Sequence, residues 1–260
     1  MNEFLGQPAP RWFWVGNGLR QWPDEPFGNS PDHAIRLKNS YFGALFGKVT
    51  RPAPVPAPKT IFLLRHGQTD FNVQGIVQGS GIDSDLNDTG RRQARQFFDA
   101  YAPEPFDRVY TSALRRTQQS VQHFLDRGLP HERHPGLNEI SWGRREGTRI
   151  TMAEDAEYRH VLAQWGLGNT GLALEGGETP DEVAARQRPF IELLRTRPHE
   201  RTVLVCLHGR ALRVLLCQLL HYPLRCMEGF EHSNLCLYKL EFTGSMFVVR
   251  NFLDVAHLAG

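Results

Sequence analysis

Two histidines in this chain, His66 and His208, are each followed by glycine and preceded by a short apolar run. His66 also follows Arg65, which places a permanently charged guanidinium beside an imidazole. A guanidinium neutralises the oxygens of a phosphoryl group, and an imidazole is able to attack its phosphorus atom. Either histidine–glycine pair alone is weak evidence, because such short matches arise by chance. Two pairs in the same context favour one shared site for phosphoryl chemistry.

The apolar runs at residues 61–64 and 202–207 must position these histidines. Both runs are too short for helices, and they are typical of strands buried on both faces, as in a parallel sheet. In open α/β sheets, ligands bind just beyond the carboxyl ends of such strands. Gly67 lets the backbone turn sharply there and approach a ligand closely. The sequence therefore predicts an α/β fold that brings both histidines to one edge of its sheet.

The sequence Arg-His-Gly-Gln-Thr at residues 65–69, with Asn72 three positions later, resembles the signature of the histidine phosphatase superfamily, also called the phosphoglycerate mutase-like family. The resemblance extends from about residue 59 to residue 258, and the separate motifs occur in the family's order. It implies a mostly parallel central sheet with helices on both faces and a small helical cap. It also implies a phosphohistidine intermediate on His66, with Arg65 and His208 binding the phosphoryl oxygens and no metal cofactor.

A pair of arginines, Arg115 and Arg116, follows Ser112 at the start of a predicted helix. Neighbouring helical residues point about 100° apart, so at most one of the two should face the site well. The resemblance selects Arg116, which lies four residues after Ser112 as in the family's Ser-x-Leu-x-Arg pattern, and it implies an exposed Arg115. The alternative is that both are solvated helix arginines.

Glu139 lies in the segment Leu-Asn-Glu at residues 137–139. A lone glutamate is most often a surface charge. The resemblance places Glu139 at the position of the family's proton donor. Because a bound phosphate disfavours a second negative charge nearby, it would help Glu139 hold a proton for the leaving oxygen.

Five further residues are candidates for binding phosphate or substrate. The resemblance places Asn72, Gln78 and Gly79 beside the pocket, although the loop after Gln78 is about one residue longer than the usual pattern. Gly209 begins a helix whose N-terminus should face the site. Many relatives have a small residue at the position of Arg210. Arg210 therefore either adds positive charge to this particular pocket or points into solvent.

Residues 151–168 are predicted to form a helix of the cap, which selects substrates in this family. The specificity candidates of this region are Trp142, Arg144, Arg145, Arg149 and Trp165. The segment Gly-Gly-Glu-Thr at 176–179 resembles the phosphatase branch. Mutases of the family carry a longer insertion with Arg-Arg-Ser and a proline run, and residues 143–176 contain neither. These features favour a hydrolase of small phosphomonoesters; a mutase is the alternative, and a non-catalytic phospho-ligand-binding protein is a weaker one.

Other elements follow from local signals. Asn87 is a predicted N-cap for a helix over 88–101, and Thr179 with Glu182 predicts a capping box for a helix from Pro180 to about residue 195. One helix is expected after the strand near 106–110, ending near residue 127. Residues 235–240 and 246–253 should form an edge hairpin around a turn at 243–244.

Residues 1–58 differ from the rest of the chain. They contain nine of the 17 prolines, four of them in an alternating run at 52–58 that is typical of an extended spacer. We expect a leader, poorly ordered, at 1–58 and one histidine phosphatase domain at 59–260; a docking arm or a lid is the alternative reading of the leader.

Composition excludes several classes of protein. The net charge of +2 is too small to indicate nucleic acid or an anionic membrane as a partner. No apolar stretch approaches the roughly 20 residues of a membrane span. The four cysteines contain no C-x-x-C pair, so reduced thiols are expected rather than a disulfide framework. A cytoplasmic enzyme with a small phosphomonoester as its partner is predicted, and the oligomeric state stays open between monomer and homodimer.

Overall fold

The computed structural model describes residues 12–15, 18–21, 58–149 and 155–259. Within the leader, strands β1 (Trp12–Val15) and β2 (Gly18–Gln21) pair antiparallel. Of the proline run at 52–58, residues 52–57 lie outside the described residues.

The domain that follows is built on a six-stranded sheet with the order β5-β4-β6-β3-β7-β8. Its strands are β3 (Lys59–Arg65), β4 (Arg108–Thr111), β5 (His131–Arg133), β6 (Thr202–Leu207), β7 (Leu237–Phe242) and β8 (Phe247–Asp254). The first four strands in that order are parallel, and β7 and β8 add an antiparallel edge hairpin. The predicted mixed sheet, mostly parallel and completed by the C-terminal hairpin, is confirmed.

Helices cover both faces of this sheet. They are α1 (Asp70–Gln74), α2 (Asp88–Tyr101), α3 (Arg115–Ser120), α4 (Gln122–Asp126), α5 (Ala156–Leu167), α6 (Pro180–Thr196) and α7 (Gly209–Leu219). Ile61 and Leu63 of β3 pack with the apolar residues of α6 and α7, whereas Phe62 and Leu64 pack with those of α2 and α4. This two-sided burial explains the continuous apolar run that β3 shows in the sequence.

Most helix boundaries agree with the local signals. Asn87 accepts from the backbone N–H of Gly90 at the start of α2, and Thr179 and Glu182 form the predicted capping box of α6. The cap helix α5 begins at Ala156, and residues 151–154 of the predicted helix lie outside the described residues. No helix in the described part of the chain combines the length and apolar character that crossing a bilayer requires.

One predicted helix is wrong in its extent. The helix expected to run to residue 127 begins at Arg115 and is interrupted at Val121, which separates α3 from α4. In α3 the hydroxyl of Thr117 donates to Leu114 O, and the hydroxyl of Ser120 donates to Arg116 O. Such bonds from Ser and Thr to preceding carbonyls compete with the regular helical ladder and bend a helix.

Candidate active site

The carboxyl ends of β3 and β6 lie side by side at the centre of the sheet. Arg65 pairs with Leu207 in the parallel register, and the backbone N–H of His66 donates to Leu207 O at 3.0 Å. His66 and His208 are the next residues of the two strands, and their ring centroids are 5.2 Å apart. Both imidazoles are almost completely buried. The structure therefore brings the two histidines together at the edge where the sequence places them.

The tautomer of His66 follows from its hydrogen bond. Nδ1 lies 2.8 Å from Gly67 O, which only accepts, so Nδ1 carries the proton and Nε2 keeps its lone pair. Burial, followed by the charges of Arg116 and Arg65, lowers the pKa of His66 well below its ordinary value. A neutral imidazole with a free nitrogen is the form that acts as a nucleophile.

His208 is also neutral, for a geometric reason. Its Nδ1 lies 3.1 Å from Arg116 Nε, which only donates, and its Nε2 lies 2.8 Å from the Ser112 hydroxyl. Nδ1 must therefore accept, and Nε2 carries the proton. Burial and the charge of Arg116 lower the pKa of His208 well below its ordinary value. A protonated His208, which a bound phosphate would favour, would have to give up the hydrogen bond from Arg116.

The structure separates the two adjacent arginines of α3. Arg116 is fully buried, and its guanidinium donates to Ile82 O at 2.5 Å and Gly79 O at 3.3 Å as well as to His208. Burial lowers its pKa to about 10. Arg115 is exposed and forms ion pairs with two aspartates of the preceding loop, Asp83 and Asp85. Only Arg116 therefore lies beside the histidines.

Arg65 contributes an unpaired donor to the same region. Its Nε is buried and has no hydrogen-bond partner among the described residues. An unsatisfied buried donor costs about 1–3 kcal/mol, and more for a charged group, unless a ligand satisfies it. An anionic ligand beside His66 would remove that cost.

Glu139 lies against the start of α7. Its Oε1 accepts from the backbone N–H groups of Ile140 and Ala211, each at 2.9 Å, and its Oε2 accepts from Arg210 N at 3.1 Å. Its side chain is nearly buried, and its charge acts on both Arg65 and Arg116. The carboxylate is stabilised by the unpaired N–H groups of a helix N-terminus, two and three residues beyond His208.

Comparison with known proteins fits this arrangement. The sequence model of the histidine phosphatase superfamily (branch 1) matches residues 61–255. The chain belongs to the histidine phosphatase superfamily. It is 34% identical over 171 residues to a 2,3-bisphosphoglycerate-dependent phosphoglycerate mutase of Brucella ovis, an alignment that covers 62% of this chain and 81% of the mutase.

Two solved structures show the same fold as this member of the histidine phosphatase superfamily. The alpha-ribazole phosphatase of Shigella flexneri is 28% identical with a TM-score of 0.67, covering 75% of this chain and 96% of that one. A mycobacterial glucosyl-3-phosphoglycerate phosphatase is 25% identical with a TM-score of 0.65, covering 76% of this chain and 99% of that one. Phosphatases and mutases thus both occur among its relatives.

Three predicted ligands of the phosphate or substrate take part in contacts within the protein. Asn72 Oδ1 accepts from Thr69 N and from Asn234 Nδ2, at 3.1 and 3.2 Å. Gln78 bonds the Thr69 hydroxyl through its Nε2 at 2.8 Å. Gly79 is packed so closely that an added Cβ would lie 1.9 Å from an oxygen of Glu146. These residues therefore shape the loop that follows His66. The Asn72 side-chain oxygen is already bonded within the protein, and its NH₂ group has no hydrogen bond to a described residue.

Gly209 and Arg210 open α7 as predicted, but Arg210 does not point into solvent. Its side chain is buried, forms an ion pair with Glu228, and lies over the rings of Trp165 and Trp142, 5.2 and 5.9 Å from the two centroids. The positive charge of Arg210 is thus beside the site but shared with a carboxylate.

The other cap candidates have structural contacts. Arg144 pairs with Glu175, and Arg145 pairs with Asp155 and Glu157 at the start of α5. Arg149 forms an isolated bridge to Ile76. The Arg145 ion pairs connect the loop that follows Glu139 to the cap, and none of the three arginines has a hydrogen bond to His66 or His208 among the described residues.

Sequence reasoning missed several residues that hold the histidines. The Ser120 hydroxyl accepts from Gly67 N at 2.9 Å, and Asn234 Nδ2 donates to His66 O at 3.1 Å. The Ser112 hydroxyl, used in the sequence only to count the spacing to Arg116, hydrogen-bonds His208 Nε2. Its place in the Ser-x-Leu-x-Arg pattern was a usable signal. Asn234 carries no such signal, because it reaches the site only through the tertiary fold.

The neutral histidines predict how stability depends on pH. In the unfolded chain a histidine titrates near 6.5, whereas burial lowers the folded-state pKa of His66 and His208 well below that value. Between the two pKa values the unfolded state binds more protons, so stability is lost as the pH falls. We expect the free energy of unfolding to decrease below about pH 6.5, by up to about 1.4 kcal/mol per pH unit for each such histidine.

Urea unfolding at pH 7.5, 6.0 and 5.0 measures this slope. In His208→Gln the free energy of unfolding should fall less steeply as the pH falls. The difference in slope should be up to about 1.4 kcal/mol per pH unit, the contribution of one buried neutral histidine. Equal slopes for the wild type and this variant would contradict the assignment of a neutral His208.

Proposed function

We propose that this histidine phosphatase hydrolyses small phosphomonoesters through a phosphohistidine on His66, without a metal ion. The observation that carries the proposal is the neutral His66, whose Nδ1 is tied to Gly67 O and whose ring lies 5.2 Å from that of His208. Arg65 and Arg116 supply permanent positive charge close to His66, at the carboxyl edge of the sheet. Charge placed in advance where it develops in the transition state is the main source of catalysis in phosphoryl transfer.

The first half-reaction transfers the phosphoryl group to the enzyme. His66 Nε2 attacks phosphorus while the bond between phosphorus and the leaving oxygen breaks. Arg65, Arg116 and His208 bind the equatorial oxygens. Glu139, which takes up a proton from solvent when the phosphate dianion binds nearby, gives that proton to the leaving oxygen. The phosphate charge favours proton uptake by His208 at Nδ1, and Arg116 Nε, no longer bonded to that nitrogen, donates to the phosphate.

The second half-reaction releases phosphate. Glu139, now a carboxylate, takes a proton from a water molecule whose oxygen attacks phosphorus. The bond between phosphorus and His66 Nε2 breaks, and the neutral imidazole is restored. Its Nδ1 keeps the hydrogen bond to Gly67 O throughout, which holds the same nitrogen ready for the next cycle.

Hydrolysis is tested with a panel of phosphomonoesters. Full-length protein is assayed for phosphate release from sugar phosphates, nucleoside-type phosphates and p-nitrophenyl phosphate. The phosphatase names of the two solved structures support hydrolysis. If no member of the panel released phosphate, the proposed hydrolase activity would be wrong.

A mutase is the second candidate, because the Brucella relative bears that name. Isomerisation of 3-phosphoglycerate with a bisphosphoglycerate primer separates the two activities. The missing insertion between residues 143 and 176 leads us to expect phosphate release without isomerisation.

The two arginines of α3 provide a matched pair of variants. Arg116→Met should lower kcat/KM by about 100-fold or more, because a buried donor to the transferred group is lost. Arg115→Met should stay within about threefold of the wild type, because exposed ion pairs contribute little. Steady-state kinetics on one phosphomonoester measures both. A loss of the same size in the two variants would remove Arg116 from the proposed site.

A further inference from the structure

Two arginines of α7, Arg210 and Arg213, share one carboxylate. Glu228 Oε1 contacts Arg210 Nη1, and Glu228 Oε2 contacts Arg213 Nη1 at 2.5 Å. The two arginine side chains are 7% and 14% exposed, whereas that of Glu228 is 45% exposed. One half-exposed anion therefore bridges two largely buried cations, and one positive charge of the trio is not compensated.

The arginines are held in place by other contacts than Glu228. The Arg210 guanidinium lies over the Trp165 and Trp142 rings and bonds Tyr158. Arg213 Nε donates to Phe230 O at 2.8 Å. Cation–π contacts and a backbone hydrogen bond hold the two guanidinium groups independently of Glu228. Their positions would remain if Glu228 moved away.

This pair adjoins the proposed reaction centre. The backbone N–H of Arg210 donates to the Glu139 carboxylate at 3.1 Å, and the charge of Arg213 acts on Arg65. His232 lies against Gly209 at the start of α7, and its buried Nδ1 has no hydrogen-bond partner among the described residues. Burial and the charges of Arg65, Arg213 and Arg210 lower the pKa of His232 to about 3. Positive charge thus continues from Arg65 to the two arginines of α7.

We propose that Arg210 and Arg213 form a second anion subsite, which binds a carboxylate on the leaving group of the substrate after Glu228 has moved out. The inference rests on the proposed function and narrows its substrate to a small phosphomonoester that also carries a carboxylate. Glu228 shows that a planar carboxylate fits between the two guanidinium groups, one oxygen on each. It lies on the short 3₁₀ turn Leu224–Gly229 and is half-exposed, so it has solvent to move into.

Matched substrates test the subsite. 3-Phosphoglycerate and glycerol 3-phosphate differ by a carboxylate against a hydroxymethyl group, and O-phosphoserine and phosphoethanolamine differ by a carboxylate against hydrogen. The readout is the ratio of kcat/KM within each pair. We expect the full-length enzyme to favour the carboxylated member by about tenfold or more in at least one pair, which corresponds to one charge-assisted contact.

Two variants should move that ratio in opposite directions. Arg210→Met should lower the ratio by about 10–100-fold, because a charged hydrogen-bond donor is lost. Glu228→Gln should raise it by about fivefold, chiefly through KM of the carboxylated member, because the competing carboxylate is gone. Arg225→Met, an exposed arginine of the same turn, is the control and should leave the ratio unchanged.

The outcomes separate the two proposals. Phosphate release with a ratio that neither Arg210→Met nor Glu228→Gln changes would overturn the subsite and leave the hydrolase standing. Absence of phosphate release from all four substrates and from every member of the phosphomonoester panel would overturn the hydrolase and this inference with it, whereas release from panel members but from none of the four substrates would overturn the subsite alone. Glu228→Gln keeps both arginines and their packing, so the subsite is still tested should Arg210→Met fold poorly.

Discussion

Replacing His66 with alanine is expected to lower phosphate release by about 10⁴-fold or more, the scale on which loss of a covalent nucleophile acts. The imidazole is the group that would bond to phosphorus, because its free Nε2 lies at the edge of the sheet beside His208. His208 is not a substitute, because its Nδ1 accepts from Arg116 and its Nε2 carries a proton towards Ser112. Steady-state assays with p-nitrophenyl phosphate measure the loss.

A trapping experiment adds a test that rate alone does not give. Brief mixing with labelled substrate, followed by denaturation, should leave label on the wild type that is lost in acid and kept in alkali, as for a phosphohistidine. His66→Ala should carry none. His221→Ala, an exposed histidine two residues beyond α7, should be labelled like the wild type. Label on His66→Ala, or substantial activity in it with an unchanged melting temperature, would contradict the assignment of the nucleophile.

The parts of this site that the sequence predicts are those set by short-range chemistry. The apolar runs before His66 and His208 mark strands buried on both faces, and parallel strands of one sheet end at one edge. The choice of Arg116 over Arg115 follows from helical geometry together with the family pattern, and the structure places only Arg116 beside His208. In each case neighbouring residues contain the information.

Other features depend on residues far apart in the chain. The surroundings of Arg210 combine Trp165 and Glu228, which lie 45 residues before it and 18 after it, so local patterns left two alternatives open. At the break, Val121 N donates to Gln118 O, and the preceding Ser120 hydroxyl bonds Arg116 O; helix periodicity reveals neither bond. The surroundings of Arg210 and the end of α3 depend on tertiary packing, which local patterns in a single sequence do not reveal.

Replacing Glu139 with glutamine should lower kcat for alkyl phosphates by about 10³-fold, within the range that a positioned general acid contributes. An alkoxide is a poor leaving group without a proton, and the amide of glutamine has none to give. The variant keeps one oxygen for the backbone N–H groups of Ile140 and Ala211, which limits the structural cost. A matched control is Glu182→Gln, since Glu182 also accepts from the backbone at a helix N-terminus, at the start of α6. Its activity should equal that of the wild type.

The leaving group separates a proton donor from a residue that only orders α7. p-Nitrophenolate leaves without a proton, so Glu139→Gln should release the first equivalent of p-nitrophenol nearly as fast as the wild type. The second half-reaction still requires a base for water, and later turnovers should be slow. Stopped-flow traces should therefore show a burst equal to the enzyme concentration. If Glu139 instead only stabilised the helix start that follows His208, alkyl and aryl phosphates would lose their first-turnover rate by the same factor and no burst would be seen.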